Sequence, residues 1–205
     1  VAGIPKGGEL NEQKSLKLKA LLNDVEASVI SAATRVQPLP ASNQAGVMAG
    51  MQTFIVSNAI ACGAGDFKSR TLEDTTYDIL AGRCVKKGGH PNKVFGGIGA
   101  KRAIAGWVTQ VNRPVSDQGK KLMKLVNQYE SVAGMQDIVL SMNLTTVLLM
   151  IETGRWEIGW LREPQWDPYP GGIADINGGV YKLEATLISL AEEASGKMTN
   201  LNYVE

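Results

Sequence analysis

Between Glu9 and Val36 the sequence contains neither glycine nor proline, and this uninterrupted run constrains the fold more than any other stretch. Leu18, Leu22, Val25, Val29 and Ala32 recur at spacings of four, three, four and three, which marks one face of an α-helix. Lys14, Lys17, Lys19, Asp24 and Glu26 fall largely off that stripe. An amphipathic helix is therefore predicted from Gly8 to Thr34. At about 1.5 Å per residue it would extend roughly 35–40 Å, long for an ordinary globular domain. A helix of that length usually serves as a spine on which sheets are laid.

The rest of the composition narrows the class. The 205 residues suffice for one large domain or two intimate subdomains with a real core. Hydrophobic residues make up 44% and charged residues 20%, as in folded soluble proteins. With 21 basic and 20 acidic residues the net charge is +1, which argues against a dedicated nucleic-acid binder and leaves little repulsion between copies. Cys62 and Cys84 form no disulfide framework and read as small apolar side chains. No run of eighteen apolar residues predicts a membrane span. The opening Val1-Ala-Gly-Ile-Pro-Lys-Gly-Gly lacks the charged start and apolar block of a signal peptide. Because it opens on Val rather than Met, the chain is expected to begin after a cleavage or inside a longer product.

After the helix, Gln37 to Gln44 reads as a loop with two prolines, and Ala45 to Ile60 as a short helix leading into a buried strand. A second helix is predicted from Thr71, its N-cap, with Glu73 and Asp74 in the first turn and Leu72, Tyr77, Leu80, Cys84 and Val85 on one face. Lys86 and Lys87 fall in its last turn and Gly88-Gly89 stops it. Val94-Phe95 is a short strand, and Lys101 to Val111 a third helix with Ile104, Trp107, Val108 and Val111 on one side. Asn112 to Lys121 is polar and reads as a loop. Strand patterns follow at 137–142, 145–151, 156–162 and, most regularly, Val180 to Leu190, after which Ala194-Ser-Gly-Lys-Met reads as a turn. Helices first and strands later point to an α+β fold.

Catalytic chemistry is not visible. His90 is the only histidine, which excludes a His-based triad or a multi-His metal site, and it lies in a turn. Cys62 and Cys84 lack the spacing of a zinc knuckle. Gly96-Gly-Ile-Gly-Ala-Lys-Arg follows a strand and opens a helix, as a phosphate-cradling loop would. Yet Arg102 stands where the fingerprint wants Gly or Ala, so a tight strand-to-helix turn is the simpler reading. Glu192-Glu193 and the group Asp66, Glu73, Asp74 and Asp78 are acidic clusters with nothing to fix them in a cleft. Lys14, Lys17 and Lys19 form a weak basic patch, and Trp107, Trp156, Trp160 and Trp166 suit burial in a core or interface. No catalytic, cofactor-binding or metal-ligating residue is assigned, and no cofactor is expected.

The order of these pieces resembles one family. Lys19 to Ile30 followed by Met48-Ala-Gly-Met-Gln-Thr-Phe-Ile resembles the spine helix and following segment of tailed-bacteriophage major capsid proteins. Lys87-Gly-Gly-His-Pro-Asn-Lys-Val-Phe-Gly-Gly looks like that family's helix–turn–strand. Leu161-Arg-Glu-Pro-Gln-Trp is similar to a recurring strand end, and Val180 to Leu187 with Glu192 to Leu201 resembles the closing strand and terminal turn. The resemblance implies a Hong Kong 97-type fold. In that fold, residues 1–68 and 174–205 would be peripheral and 69–173 an inserted axial domain, with Asn112–Lys121 as a loop near the capsomer centre. It implies a non-enzymatic virion subunit, assembled in the host bacterial cytoplasm into hexamers and pentamers of an icosahedral or prolate head around double-stranded DNA. Scaffolding, portal and decoration proteins would be further partners, with non-specific DNA contact near Lys14, Lys17 and Lys19 and no membrane. On this resemblance the sequence is expected to open at about the end of the family's extended hairpin, upstream of which the lysine that some relatives crosslink would sit. Two alternatives stay open: an encapsulin-like nanocompartment shell, and a small nucleotide-binding enzyme using Gly96–Gly99.

Overall fold

A computed structural model describes residues 8–38, 46–108, 127–169 and 178–203. Helix α1 spans Gly8–Ile30, α2 Met51–Phe54, α3 Asp74–Lys86 and α4 Ile98–Val108. The strands are β1 Ala59–Ala61, β2 Lys93–Gly96, β3 Gln128–Ser131, β4 Gly134–Leu140, β5 Leu148–Ile151, β6 Trp156–Pro168, β7 Gly179–Ser189 and β8 Gly196–Thr199. The α+β class is borne out. The chain divides into two compact units, residues 1–51 with 158–188 and residues 52–157 with 189–205.

The first unit holds α1 and the greater part of β6 and β7. Over its 23 residues α1 runs about 35 Å. Leu18 and Val25 turn to its half-buried face and Val29 is buried, as the stripe predicts. Leu22, however, is 45% exposed, and Leu21 takes its place on that face. The helix ends four residues before Thr34. Ser28 Oγ donates to Asp24 O and Ser31 Oγ to Ser28 O, each at 2.8 Å, so hydroxyls take up carbonyls that further turns would have used. Ala33 O then accepts from Gly50 N, and Val36 and Val47 exchange two bonds of 3.0 Å, so the chain leaves the helix extended. β6 and β7 form a two-stranded ribbon. It runs antiparallel, as the bonds Tyr169 N to Gly178 O and Leu190 N to Arg155 O at its two ends require.

The second unit is built on a six-stranded sheet ordered β1-β8-β5-β2-β4-β3. β1/β8 and β2/β4 are parallel, and the other pairs antiparallel. Register fixes its inner face. Ile60, Met198 and Leu148 stand side by side, as do Ile138, Val94 and Met150. These six pack with Tyr77, Leu80 and Ala81 of α3 and Ala100 and Ile104 of α4. β5 is buried on both faces, which accounts for its unbroken Leu-Leu-Met-Ile run. Tyr77, Trp107 and Tyr129 meet edge to face at 5.3–5.7 Å. Among these apolar groups the buried Gln136 is satisfied by the Tyr77 hydroxyl and by Pro91 O.

Several expected boundaries shift. Glu73, not Thr71, caps α3, without a side-chain bond. Gly88, at φ +80°, ends α3 as predicted, its N–H bonding Val85 O while that of Gly89 bonds Cys84 O. α4 begins at Ile98, three residues early, because Lys101 N already bonds Gly97 O. The turn expected at Ala194–Met198 gives way from Gly196 to β8, whose amides and carbonyls complete the sheet between β1 and β5. The compact units are bounded at residues other than the expected 68 and 174. Ala59–Ala61 and Gly196–Thr199 belong to one sheet with the segment between, whereas 158–188 groups with α1. Asn112–Lys121 lies outside the described residues.

Candidate functional site

The three lysines of α1 do not make one patch. At about 100° of rotation per residue, Lys17 lies about 60° from Lys14, but Lys19 lies about 140° round on the other side. Glu12 and Glu26 sit seven residues to either side of Lys19, almost in line with it, so that side of the helix carries more acid than base. Lys14 is half-buried, its ammonium 4.6 Å from the centre of the Trp166 ring. The DNA contact expected near Lys14, Lys17 and Lys19 would therefore not fall on a single face of the helix. Two of the lysines turn to the ribbon and the third turns away.

What they turn to is a groove of about 530 Å³ within the first unit. Lys14, Lys17 and Leu21 form part of one wall, and Trp166, Tyr169 and Val180 part of the other. The ribbon places these aromatics because β6 continues to Pro168, six residues past the strand read from the sequence. Trp166 meets Tyr181 edge to face at 5.0 Å. A Cβ on Gly179 would stand 2.6 Å from the Trp166 ring, so only glycine lets the indole lie there. The sequence signal was an aromatic on each side of Pro168, hidden by the three prolines Pro164, Pro168 and Pro170.

The glycine-rich turn at Gly96–Gly99 is filled by the chain itself. A Cβ on Gly97 would fall 2.2 Å from Leu144 O, and one on Gly99 2.3 Å from the Tyr203 ring. These glycines admit a carbonyl and a ring, and leave no cradle for a phosphate. Cys62 and Cys84 are free and buried, and burial pushes the Cys84 thiol up to about 11. His90 is exposed, and its backbone N–H donates to Glu152 Oε2 at 2.9 Å. Asp66, Glu73 and Asp74 are exposed and Asp78 half-exposed. Among the described residues no His, Cys, Asp or Glu side chains converge as metal ligands.

Glu192 and Glu193 separate into two tasks. Glu192 accepts from the amides of Val56 and Ser57, at 3.0 and 3.3 Å, and from the Ser57 hydroxyl. Burial alone would raise its carboxyl, but those bonds, with Lys87, hold it below the usual range. Glu193 pairs with Lys87 at 3.2 Å. Nearby, Lys197 Nζ donates to Gln52 O at 2.6 Å, and the Trp156 indole N–H to Ser195 Oγ at 2.9 Å. Asn58 Nδ2 donates to the carbonyls of Glu193 and Ser195. The second unit thus ties down the ends at which the chain enters and leaves it. Sequence reasoning missed these ties because all but the Trp156–Ser195 bond join residues more than a hundred positions apart.

Comparison with known proteins places the chain. The sequence model of the SU10 major capsid protein family matches residues 1–202. No curated protein matches. The fold is similar to that of the holo-SrpI encapsulin complex from Synechococcus elongatus PCC 7942, with a TM-score of 0.58 and 13% identity over 98% of this chain and 70% of that one. It is equally similar to a chain of the satellite phage P4 procapsid that includes the size determination protein, with a TM-score of 0.58 and 10% identity over 98% of this chain and 65% of that one. At such identities the likeness is one of fold, the Hong Kong 97 type.

Proposed function

This chain belongs to the family of SU10 major capsid proteins, and from that premise we propose that its copies tile a phage head as hexamers and pentamers around double-stranded DNA. A shell subunit acts by geometry and needs no catalytic group. The unit of α1 and the ribbon is the peripheral domain, and the unit of the six-stranded sheet is the axial one, nearer the capsomer centre. The observation that carries this reading is the ribbon. A two-stranded sheet is marginal alone, yet β6 exposes Leu161 at 84% and Trp160 at 41%. Neighbouring copies would cover these apolar side chains, as obligate interfaces do. Assembly takes place in the host bacterial cytoplasm, with DNA held non-specifically on the inner face.

Negative-stain imaging of the full-length product, expressed with its scaffolding factor, tests the proposal. Shells about a regular lattice are expected, and a persistent monomer would overturn it. The likeness to the encapsulin favours one second reading, a shell around protein cargo. Nuclease-protected DNA inside purified particles supports the first reading, and protein cargo without DNA the second. The nucleotide-binding alternative at Gly96–Gly99 has lost its cradle to Leu144 and Tyr203.

A further inference from the structure

We propose that the groove between α1 and the ribbon receives a short acidic segment of a partner protein carrying a large apolar anchor. The inference does not rest on the shell reading, since both walls lie in the same compact unit. Its chemistry is mixed in a particular way. Trp166, Tyr169 and Val180 offer aromatic and aliphatic surface, and Tyr169 is 58% exposed at the rim. Lys14 and Lys17 stand one turn apart on the facing helix, with Asp24 seven residues beyond Lys17. The groove therefore has a cationic end of two charges and a single anion about 10 Å further along. The Trp166 ring holds the Lys14 ammonium over its face, and an ammonium has three N–H donors, more than one ring face can engage.

A volume of about 530 Å³ falls within the range of built ligand sites. Duplex DNA would meet the lysines through its phosphates but would leave the apolar walls bare. A peptide satisfies both features, placing a Phe or Leu side chain against Trp166 and a carboxylate beside Lys14 and Lys17, in the manner of anchored segments laid into grooves. Gly179 belongs to this design, because any larger residue there would move Trp166.

The probe is a fluorescein-labelled twelve-residue peptide alternating Glu with Phe and Leu, titrated by anisotropy against the full chain. Saturable binding is expected, together with none for the same peptide carrying Lys in place of Glu. The double variant Lys14→Gln/Lys17→Gln should weaken binding by about tenfold or more, as loss of close charge pairs does, while Lys19→Gln leaves it unchanged. Tyr169→Ser, at a position 58% exposed, should weaken it several-fold. Absence of saturable binding, equal binding by the double variant, or displacement of the peptide by a twelve-base-pair duplex with the same lysine dependence would each overturn the proposal. Circular dichroism of every variant separates these outcomes from misfolding.

Discussion

At the scale of single residues, a few side chains carry consequences that can be measured. Gly97→Ala would drive a methyl into Leu144 O, and an overpacked site of this kind costs about 1–3 kcal/mol. Urea unfolding should show that loss, and calorimetry with NAD or ATP should show no heat for either form. Ser195→Ala would strand the indole N–H of the buried Trp156, at a cost of about 1–3 kcal/mol in the same assay. Glu192 makes stability pH-dependent in a definite direction. Its carboxyl is held below the ordinary value, so its contribution is complete above that value and is lost as pH falls through the lowered one. In Glu192→Gln the fall in stability between neutral pH and about pH 3 should be shallower than in the parent chain. Equal slopes would mean that Glu192 is not bound to the Val56–Ser57 amides in solution.

At the scale of elements, the structure separates what local pattern can specify from what it cannot. α1 was legible because its run lacks breakers and its apolar spacing is helical, and α3 because Gly88-Gly89 marks its end. α1 nevertheless stops at Ile30, because serine hydroxyls compete for its last carbonyls. β8 was illegible. Gly196-Lys-Met-Thr has no strand pattern of its own, and it is a strand only because β1 and β5 lie on either side of it. The groove was half legible. The lysines stood out by sequence, but their ring partner sits about 150 residues away in a stretch whose prolines suggest a loop. In β5, Leu148→Ala should cost about 2–5 kcal/mol, since Leu148 is wholly buried beside Met198. Val180→Ala on the half-exposed ribbon should cost far less, and thermal melts of the two variants test the contrast.

For the whole molecule the decisive property is what one copy leaves uncovered. Leu161 is 84% exposed, so Leu161→Asp should leave the unfolding free energy of the isolated chain within about 0.5 kcal/mol of the parent. The same change should reduce or abolish shell formation in negative stain, because a charge would be buried where copies meet. Lys19→Gln is expected to leave the DNA content of particles unchanged, since Glu12 and Glu26 flank that lysine.

The pairing of β1 with β8 sets an order of events during synthesis. Ala59 meets Lys197 and Ile60 meets Met198, so β1 has no sheet neighbour until the ribosome has released residue 199. Until then β5 presents one open edge, buried in the finished subunit and prone to pair with whatever strand is near. Contacts so distant in sequence also close slowly. A nascent or shortened copy would therefore lack a finished sheet, and the fold would admit to assembly only those chains translated through β8.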